Sequence, residues 1–317
     1  MQESKIPVIV IFAPTASGKT ALTKELFAPG GSHFIFKAEI ISADSQAVYK
    51  GMDIGTAKPE QQLQALIPHH LIDILTPDQQ YNVSDFVDDA DRTCQEITAR
   101  GNIPLICGGT GFYIRSFLYG VAPTPQSDPN LREKLKARIA AEGNAALYQE
   151  LKAIDPASAA KIHPNDAYRI CRALEVYYLS GKTRSDFAIE KKLRPQYDFT
   201  FIVLEPPRDL LYKRIEERVN LMIEQGLEKE VQTLIKAGYT KDSPGLKAIG
   251  YQEWFEYSDR PQTIAAIIHN SRKYAKKQYT CIRDIPGSQV IPYTSSPKDI
   301  EKVALLLQER YSGQARI

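Results

Sequence analysis

Ile6-Pro7-Val8-Ile9-Val10-Ile11-Phe12 runs directly into Ala13-Pro14-Thr15-Ala16-Ser17-Gly18-Lys19-Thr20. The first seven residues form a continuous apolar run rich in β-branched side chains, as a parallel strand buried on both faces requires. The next eight fit the phosphate-binding loop pattern GxxxxGK[ST], with Ala13 standing where the pattern has its first glycine. A helical stretch follows from about Lys19 to Phe27, so the loop lies between a strand and a helix. In that setting, backbone N–H groups and the helix N-terminus make a nest for phosphate oxygens. Lys19 adds a positive charge, and the Thr20 hydroxyl can hold Mg²⁺. The loop of Ala13, Pro14, Thr15, Ala16, Ser17, Gly18, Lys19 and Thr20 therefore reads as a site for a diphosphate or triphosphate. Alanine at position 13 requires a backbone angle that a residue with a Cβ tolerates. The loop alone leaves kinase, nucleotide hydrolase and group transferase open, because each binds a polyphosphate.

Outward from this unit the alternation continues. Phe34–Ser42 is a second apolar run, and it ends in Asp44. The stretch Gly51–Pro59 (GMDIGTAKP) is rich in turn formers. Ser84 is placed to cap a helix reaching Arg100, with Gly101 just past its end. Ile103–Cys107 reads as another buried strand that enters the Gly108-Gly109-Thr110-Gly111 turn. Strand and helix in alternation predict an α/β fold with a parallel sheet. The proline-rich segment Ala122–Pro129 breaks this pattern, and from Asn130 to about Gly181 every long segment reads as helix. Strand signal returns at Phe199–Leu204. Helices follow over Arg208–Gln225 and from Gln262 to about Cys281, then a short strand at Gln289–Tyr293 and a last helix. The expected organisation is a discontinuous P-loop core, residues 1–120 and 199–317, with a helical insertion at 121–198.

Composition is that of an ordinary globular chain. Of 317 residues, 43% are apolar and 25% charged, and the net charge is +2. That charge is uneven: residues 1–120 hold 9 Lys/Arg against 13 Asp/Glu, and the remainder holds 31 against 25. The excess of positive charge in the later part suits a polyanionic partner. Cys94, Cys107, Cys171 and Cys281 include no CxxC pair and no zinc spacing, and they read as reduced thiols. His69-His70 lacks a third ligand at a recognisable spacing and reads as structural, at a strand start. The N-terminal apolar run is too short to span a bilayer and has no cleavage pattern. A cytoplasmic protein without membrane attachment is expected.

Two further side chains carry chemistry. Asp44 follows an apolar strand and so sits at the C-terminal edge of a parallel sheet, beside the phosphate loop. There it can serve as a base or help position Mg²⁺. In Arg208–Gln225, Leu211, Ile215, Val219 and Met222 form an apolar stripe at helical spacing, and Arg218 falls within it. A guanidinium pointing inward needs an anionic partner, either a carboxylate or a bound phosphate.

PTASGKT (Pro14–Thr20), ISADSQAVYKGMDIGTAKP (Ile41–Pro59), HHLIDI (His69–Ile74), GGTGFY (Gly108–Tyr113) and HPNDAYRICRALEV (His163–Val176) occur in that order. With GLKAIGYQE (Gly245–Glu253) and the Arg272–Asp284 stretch, they resemble the tRNA dimethylallyltransferase family over nearly the whole chain. The resemblance implies a P-loop NTPase-like core with an all-helical insertion that contacts tRNA. It implies a loop that binds the diphosphate of dimethylallyl diphosphate, with Mg²⁺ as cofactor. The implied acceptor is N6 of the adenosine 3′-adjacent to the anticodon, and diphosphate is released. Asp44 matches the family's base, and Arg218 is assigned to the donor diphosphate, with Arg214 one turn earlier as a neighbour.

Motif matching also assigns tRNA contacts to Ser45, Gln46, Ala47, Val48, Thr110, Tyr168, Arg169, Arg172, Lys247, Gly250 and Tyr251. Arg169 and Arg172, three apart on a helix, are expected to share a face. The basic run Arg272, Lys273, Lys276, Lys277 and Arg283 is interleaved with Tyr274 and Tyr279, a pattern suited to tracking phosphates, with aromatics that either stack on bases or pack. The chain departs from the family here, with Cys281 at the usual tryptophan of TWxR and Lys277 at a usual arginine. The expected partners are dimethylallyl diphosphate and the tRNA anticodon stem-loop, and a monomer is expected. A kinase sharing the loop would turn over ATP. An enzyme prenylating free adenine nucleotides would have little use for the basic run, and a non-catalytic RNA-binding module would not need the loop beside Asp44.

Overall fold

The computed structural model describes residues 5–282, 285 and 287–311. The elements, in chain order, are β1 (Ile6–Phe12), α1 (Lys19–Phe27), β2 (Ala38–Ala43), α2 (Gln61–Leu66), β3 (His69–His70), α3 (Val83–Ala99), β4 (Ile103–Gly108) and α4 (Gly111–Tyr119). Four helices come next, α5 (Pro129–Glu142), α6 (Asn144–Ile154), α7 (Pro156–Ala159) and α8 (Ala167–Ser180). The chain continues with β5 (Tyr197–Glu205), α9 (Arg208–Glu224), α10 (Leu227–Lys236), α11 (Glu253–Glu256), α12 (Arg260–Ile282), β6 (Gln289–Pro292) and α13 (Pro297–Tyr311).

The six strands form one parallel sheet in the order β3-β2-β4-β1-β5-β6. Parallel strands need helical crossovers, which cover both faces and explain why β1 and β2 are apolar at nearly every position. Val8 through Phe12 are fully buried, and β2 is buried along its whole length. Leu22, Leu26 and Phe27 of α1 and Val303, Leu307 and Tyr311 of α13 pack with Ile9, Ile11, Ile202 and Leu204 in one core. The ends of β2, β4, β1 and β5 lie side by side along the C-terminal edge, where ligands of open parallel sheets bind.

The chain divides into two compact units, Met1–Leu118 with Arg194–Ile317, and Tyr119–Leu193. The second unit has its own core of Leu135, Leu147, Leu151, Ile170 and Leu174, and holds helices and no strand. Its first helix starts where the sequence dictates: Asp128 accepts from the N–H groups of Asn130 and Leu131, and Pro129 sits in the first turn. Asp166 of the HPND motif caps α8 through the Arg169 N–H at 3.1 Å.

The boundary after the second unit falls before the expected residue 198, because the Arg194 guanidinium is tied to Asp91 of α3 and β5 already begins at Tyr197. The Tyr197 hydroxyl donates to the same Asp91 carboxylate at 2.7 Å. The cap of α3 also differs from expectation. Asn82, not Ser84, caps it: its Oδ1 accepts from Ser84 and Asp85, and Asp85 returns a bond from the Asn82 N–H. Among the described residues, no helix is long and apolar enough to cross a membrane.

Candidate active site at the ends of four strands

The phosphate loop leaves β1 at Ala13, which is fully buried and donates its N–H to the Gly108 carbonyl at 3.4 Å. Positive φ angles in this loop occur at Ala16 (59°) and Gly18 (92°) and not at Ala13, so the methyl group at position 13 fits without strain. Gly18 is different, because its left-handed angle favours glycine and a Cβ there would collide with the Ser295 hydroxyl. No side chain caps α1 after Gly18, which leaves its N-terminal dipole for an anion. Lys19 folds back on the loop, and its Nζ donates to the carbonyls of Ala13 (2.8 Å) and Pro14 (2.9 Å). Burial pulls its pKa down to about 8; Cys107 and Asp44 oppose that shift and Arg218 adds to it. The Ser17 hydroxyl is buried in the loop with no hydrogen-bond partner.

The next two strands supply a carboxylate and a hydroxyl. Asp44 lies just beyond β2, where its Oδ1 accepts from the Gln46 N–H at 2.9 Å. Thr110, just beyond β4, accepts from the Ser45 N–H through Oγ1 at 3.0 Å, and its own N–H donates to the Ala43 carbonyl at 3.0 Å. The ADS and GGTG motifs are thus one hydrogen-bonded unit, and the threonine has a use that a tight turn alone would not give it.

Helix α9 follows β5 and packs on α12 through Leu211, Ile215 and Ala275, with Ala16 of the loop against the same cluster. This packing turns Arg218 toward the loop. Its guanidinium is half-buried, and burial lowers its pKa while Asp44 partly offsets the effect. Among the described residues it closes no ion pair and makes no hydrogen bond. Arg214, one turn earlier, donates to the Thr294 carbonyl at 2.6 Å and to the Ser295 hydroxyl at 3.3 Å.

Asp44, Lys19, Thr20, Arg214 and Arg218 all line one cavity of about 660 Å³, within the size range of small-ligand sites. Among the described residues, no group of three or more His, Cys, Asp or Glu could hold a metal ion. The donor set that remains, the exposed Thr20 hydroxyl and the Asp44 carboxylate on one cavity, fits a Mg²⁺ that arrives with phosphate oxygens, the usual habit of that ion. His69 also lines the cavity, but its ring meets the Ile67 carbonyl at 2.6 Å, and His70 meets the buried Glu39 at 2.7 Å.

The residues assigned to RNA divide. Ser45, Gln46, Ala47, Lys247 and Gly250 line the cavity. Val48 and Tyr251 are 0% exposed, and the Tyr251 hydroxyl donates to Glu230 at 2.6 Å, so neither offers RNA a side-chain surface. Tyr251 thereby shares Glu230 with the Gly51–Pro59 loop, whose Asp53, Ile54 and Gly55 N–H groups bind the same carboxylate, while the Val48 carbonyl accepts from the Ile74 and Leu75 N–H groups. On α8 of the helical unit, Tyr168 is 69% exposed and Arg169 is exposed beside Asp166. Arg172 does not share that open face. Its guanidinium is engaged with Glu175 (2.7 Å), the Pro125 carbonyl (2.6 Å) and Thr124 (3.2 Å), and so pins the linker to the helix.

On α12, Lys273, Lys276 and Lys277 are exposed. Arg272 pairs with Glu216 at 2.7 Å and lies over the Tyr212 ring. Tyr279 is half-buried and its hydroxyl reaches the Pro206 carbonyl at 3.4 Å. Arg283 lies outside the described residues. Two side chains of α12 reach the site: Tyr274, expected only as an aromatic of the basic run, and Gln278, which was not anticipated. Tyr274 lines the cavity, where burial pushes its pKa up to about 12, with Asp44 adding to the shift. Gln278 joins the phosphate loop to the GGTG loop. The sequence signal for Gln278 is a polar residue on the buried stripe of Thr263, Ile267 and Ala275.

Residues 47–285 match the IPP transferase family. The chain is 40% identical to the tRNA dimethylallyltransferase of Geobacter sulfurreducens, over 95% of this chain and 97% of that one. It is 42% identical to the tRNA dimethylallyltransferase of Bacillus subtilis, over 90% of each chain. Among solved structures, it is similar to the full-length tRNA isopentenylpyrophosphate transferase of Bacillus halodurans, at 34% identity and a TM-score of 0.69 over 98% of this chain and 99% of that one. A eukaryotic dimethylallyltransferase acting on tRNA gives a TM-score of 0.82 at 27% identity, covering 98% of this chain and 81% of that one. With its phosphate loop, Asp44 and Arg218 on one cavity and relatives of this kind along nearly its whole length, the chain belongs to the IPP transferase family of transfer enzymes.

Proposed function

We propose that this enzyme transfers the dimethylallyl group of dimethylallyl diphosphate to N6 of the adenosine 3′-adjacent to the anticodon of tRNA, with release of diphosphate. The observation that carries the reading is one cavity lined by an anion-binding loop, an arginine that pairs with none of the described residues, and a carboxylate. The loop and Arg218 suit a departing diphosphate, and Asp44 suits an incoming amine.

In this reading the N6–C1 bond forms as the bond from C1 to the diphosphate oxygen breaks. Negative charge then grows on the leaving group, where the loop amides, Lys19 and Arg218 meet it. Asp44 accepts the proton that N6 must lose. Its carboxylate is oriented by the Gln46 N–H, and the Ser45–Thr110 bond holds the neighbouring backbone. When Mg²⁺ is bound, the Thr20 hydroxyl would hold it beside the phosphate oxygens, and it would neutralise phosphate charge. An adenosine cannot present N6 from within a stacked loop, so the base must flip into the cavity. The exposed Lys273, Lys276 and Lys277 on α12 and the exposed Tyr168 and Arg169 on α8 are the proposed RNA contacts. We further propose a cytoplasmic enzyme that acts as a monomer.

The test is direct. The protein is incubated with Mg²⁺, dimethylallyl diphosphate and an anticodon stem-loop RNA, and the digested RNA is read by nucleoside mass spectrometry. A prenylated adenosine is expected. Its absence, in the presence of folded protein and intact RNA, would sink the assignment.

A further inference from the structure

Gln278 lies on the buried face of α12 and is 4% exposed. Both ends of its amide are engaged: Oε1 accepts from the Thr15 N–H at 3.1 Å, and Nε2 donates to the Gly109 carbonyl at 2.7 Å. Thr15 belongs to the phosphate loop at the end of β1. Gly109 belongs to the turn after β4, whose next residue, Thr110, holds the Ser45 N–H beside Asp44. One side chain therefore touches both halves of the cavity, the half with the anion loop and the half with the carboxylate. The turn is shaped to admit it, because a Cβ on Gly109 would collide with Nε2 of Gln278. A primary amide suits this place because it presents a donor and an acceptor side by side, where a carboxylate or an alkyl chain lacks one or both.

We propose that Gln278 is a positioning residue that keeps the two halves in register, so that the donor carbon and the acceptor nitrogen meet at bonding distance. Its kinetic consequence rests on the prenyl-transfer reading above. The physical reason is that transfer between two bound substrates depends steeply on their mutual placement, while the affinity of each depends only on its own half. Loss of the bridge should therefore reduce the rate of the bound complex and leave each binding step nearly intact. A residue that only stabilises the fold would leave the rate of the folded, saturated enzyme unchanged.

The variant is Gln278→Met, similar in length and without the amide. The single-turnover rate is measured at saturating dimethylallyl diphosphate and stem-loop RNA, at a temperature where circular dichroism shows the variant folded. Donor and RNA dissociation constants are measured separately. We expect a rate loss of roughly 10- to 100-fold, the scale of a misplacement of about 1 Å, with both constants little changed. Hydrogen–deuterium exchange should quicken together in the peptides covering 13–20 and 108–112. An unchanged rate, or weaker donor binding at an unchanged rate, overturns the proposal. If the unaltered protein makes no prenylated adenosine, the prenyl-transfer reading fails by itself, and exchange decides the bridge: joint loosening upholds it and unaltered exchange overturns it. Should Gln278→Met fail to fold, Gln278→Asn, which keeps the amide but shortens its reach, is read by the same measurements.

Discussion

Arg218 on α9 and Asp44 beyond β2 face one cavity and attract each other without closing an ion pair. Burial alone would favour pairing, since a desolvated charge without a partner is costly. Asp44 instead accepts from its own turn, at the Gln46 N–H. The guanidinium is thus held half-buried with its donors unused among the described residues, an arrangement that an anionic ligand completes.

Removing that guanidinium should trade function against stability. In Arg218→Gln the apparent KM for the prenyl diphosphate should rise and kcat should fall, by roughly 10²–10³ in kcat if the arginine meets charge that grows in the transition state. The melting temperature of the ligand-free protein should hold or rise, because an unpaired buried charge has gone. Steady-state kinetics and calorimetric melting read both effects, and a large drop in Tm with normal kinetics would make Arg218 a structural residue.

Lys19 gives a pH signature. Its pKa in the free protein is drawn down to about 8 by burial, below its ordinary 10.5. Between these values the unfolded chain holds the proton and the folded one has released it, so this group makes stability rise with pH across that window. Binding runs the opposite way. A bound diphosphate favours the charged amine, so affinity for inorganic diphosphate should fall as pH passes 8, and binding near pH 8–9 should take up a proton. Calorimetry in buffers of different ionisation heat measures that uptake. Lys19→Ala should abolish it and most activity, with the fold kept.

The two roles open to Asp44 separate in Asp44→Asn. A general base contributes about 10²–10⁴-fold, so a loss of that order with RNA affinity preserved is expected. Asparagine keeps the shape and accepts a hydrogen bond, but it cannot carry the proton away. Raising Mg²⁺ should leave the rate low. Strong recovery with added Mg²⁺ would make Asp44 a metal ligand instead.

RNA binding should depend on the exposed lysines of α12 and little on its paired arginine. The double change Lys273→Glu with Lys277→Glu should weaken RNA binding and flatten its salt dependence, by up to roughly 0.7–0.9 in slope for each phosphate no longer neutralised. Affinity for the prenyl diphosphate should stay put. Arg272→Ala, which breaks the Glu216 pair, should change the slope less. Equal slopes in all three proteins would mean that this face of α12 does not meet RNA.

Sequence by itself determined the elements that periodicity and local chemistry dictate. A seven-residue apolar run must be a buried strand, and GKT after it must open a helix on an anion site. It also located Asp44 and Arg218, because each breaks a local pattern: a carboxylate at a strand end, and a charge within an apolar stripe. Local pattern stops short where a side chain's partner is distant in the chain. Val48, Tyr251 and Arg172 carry the motif of an RNA contact, but packing buries the first two and Glu175 with the linker carbonyl engages the third. Gln278 shows the converse. It is 263 residues from Thr15 and 169 from Gly109, and only the packing of α12 against α9 and the loop brings its amide between them. A hydrogen bond is directional and short, so its partner depends on where the fold delivers each group. That was decided by the tertiary structure.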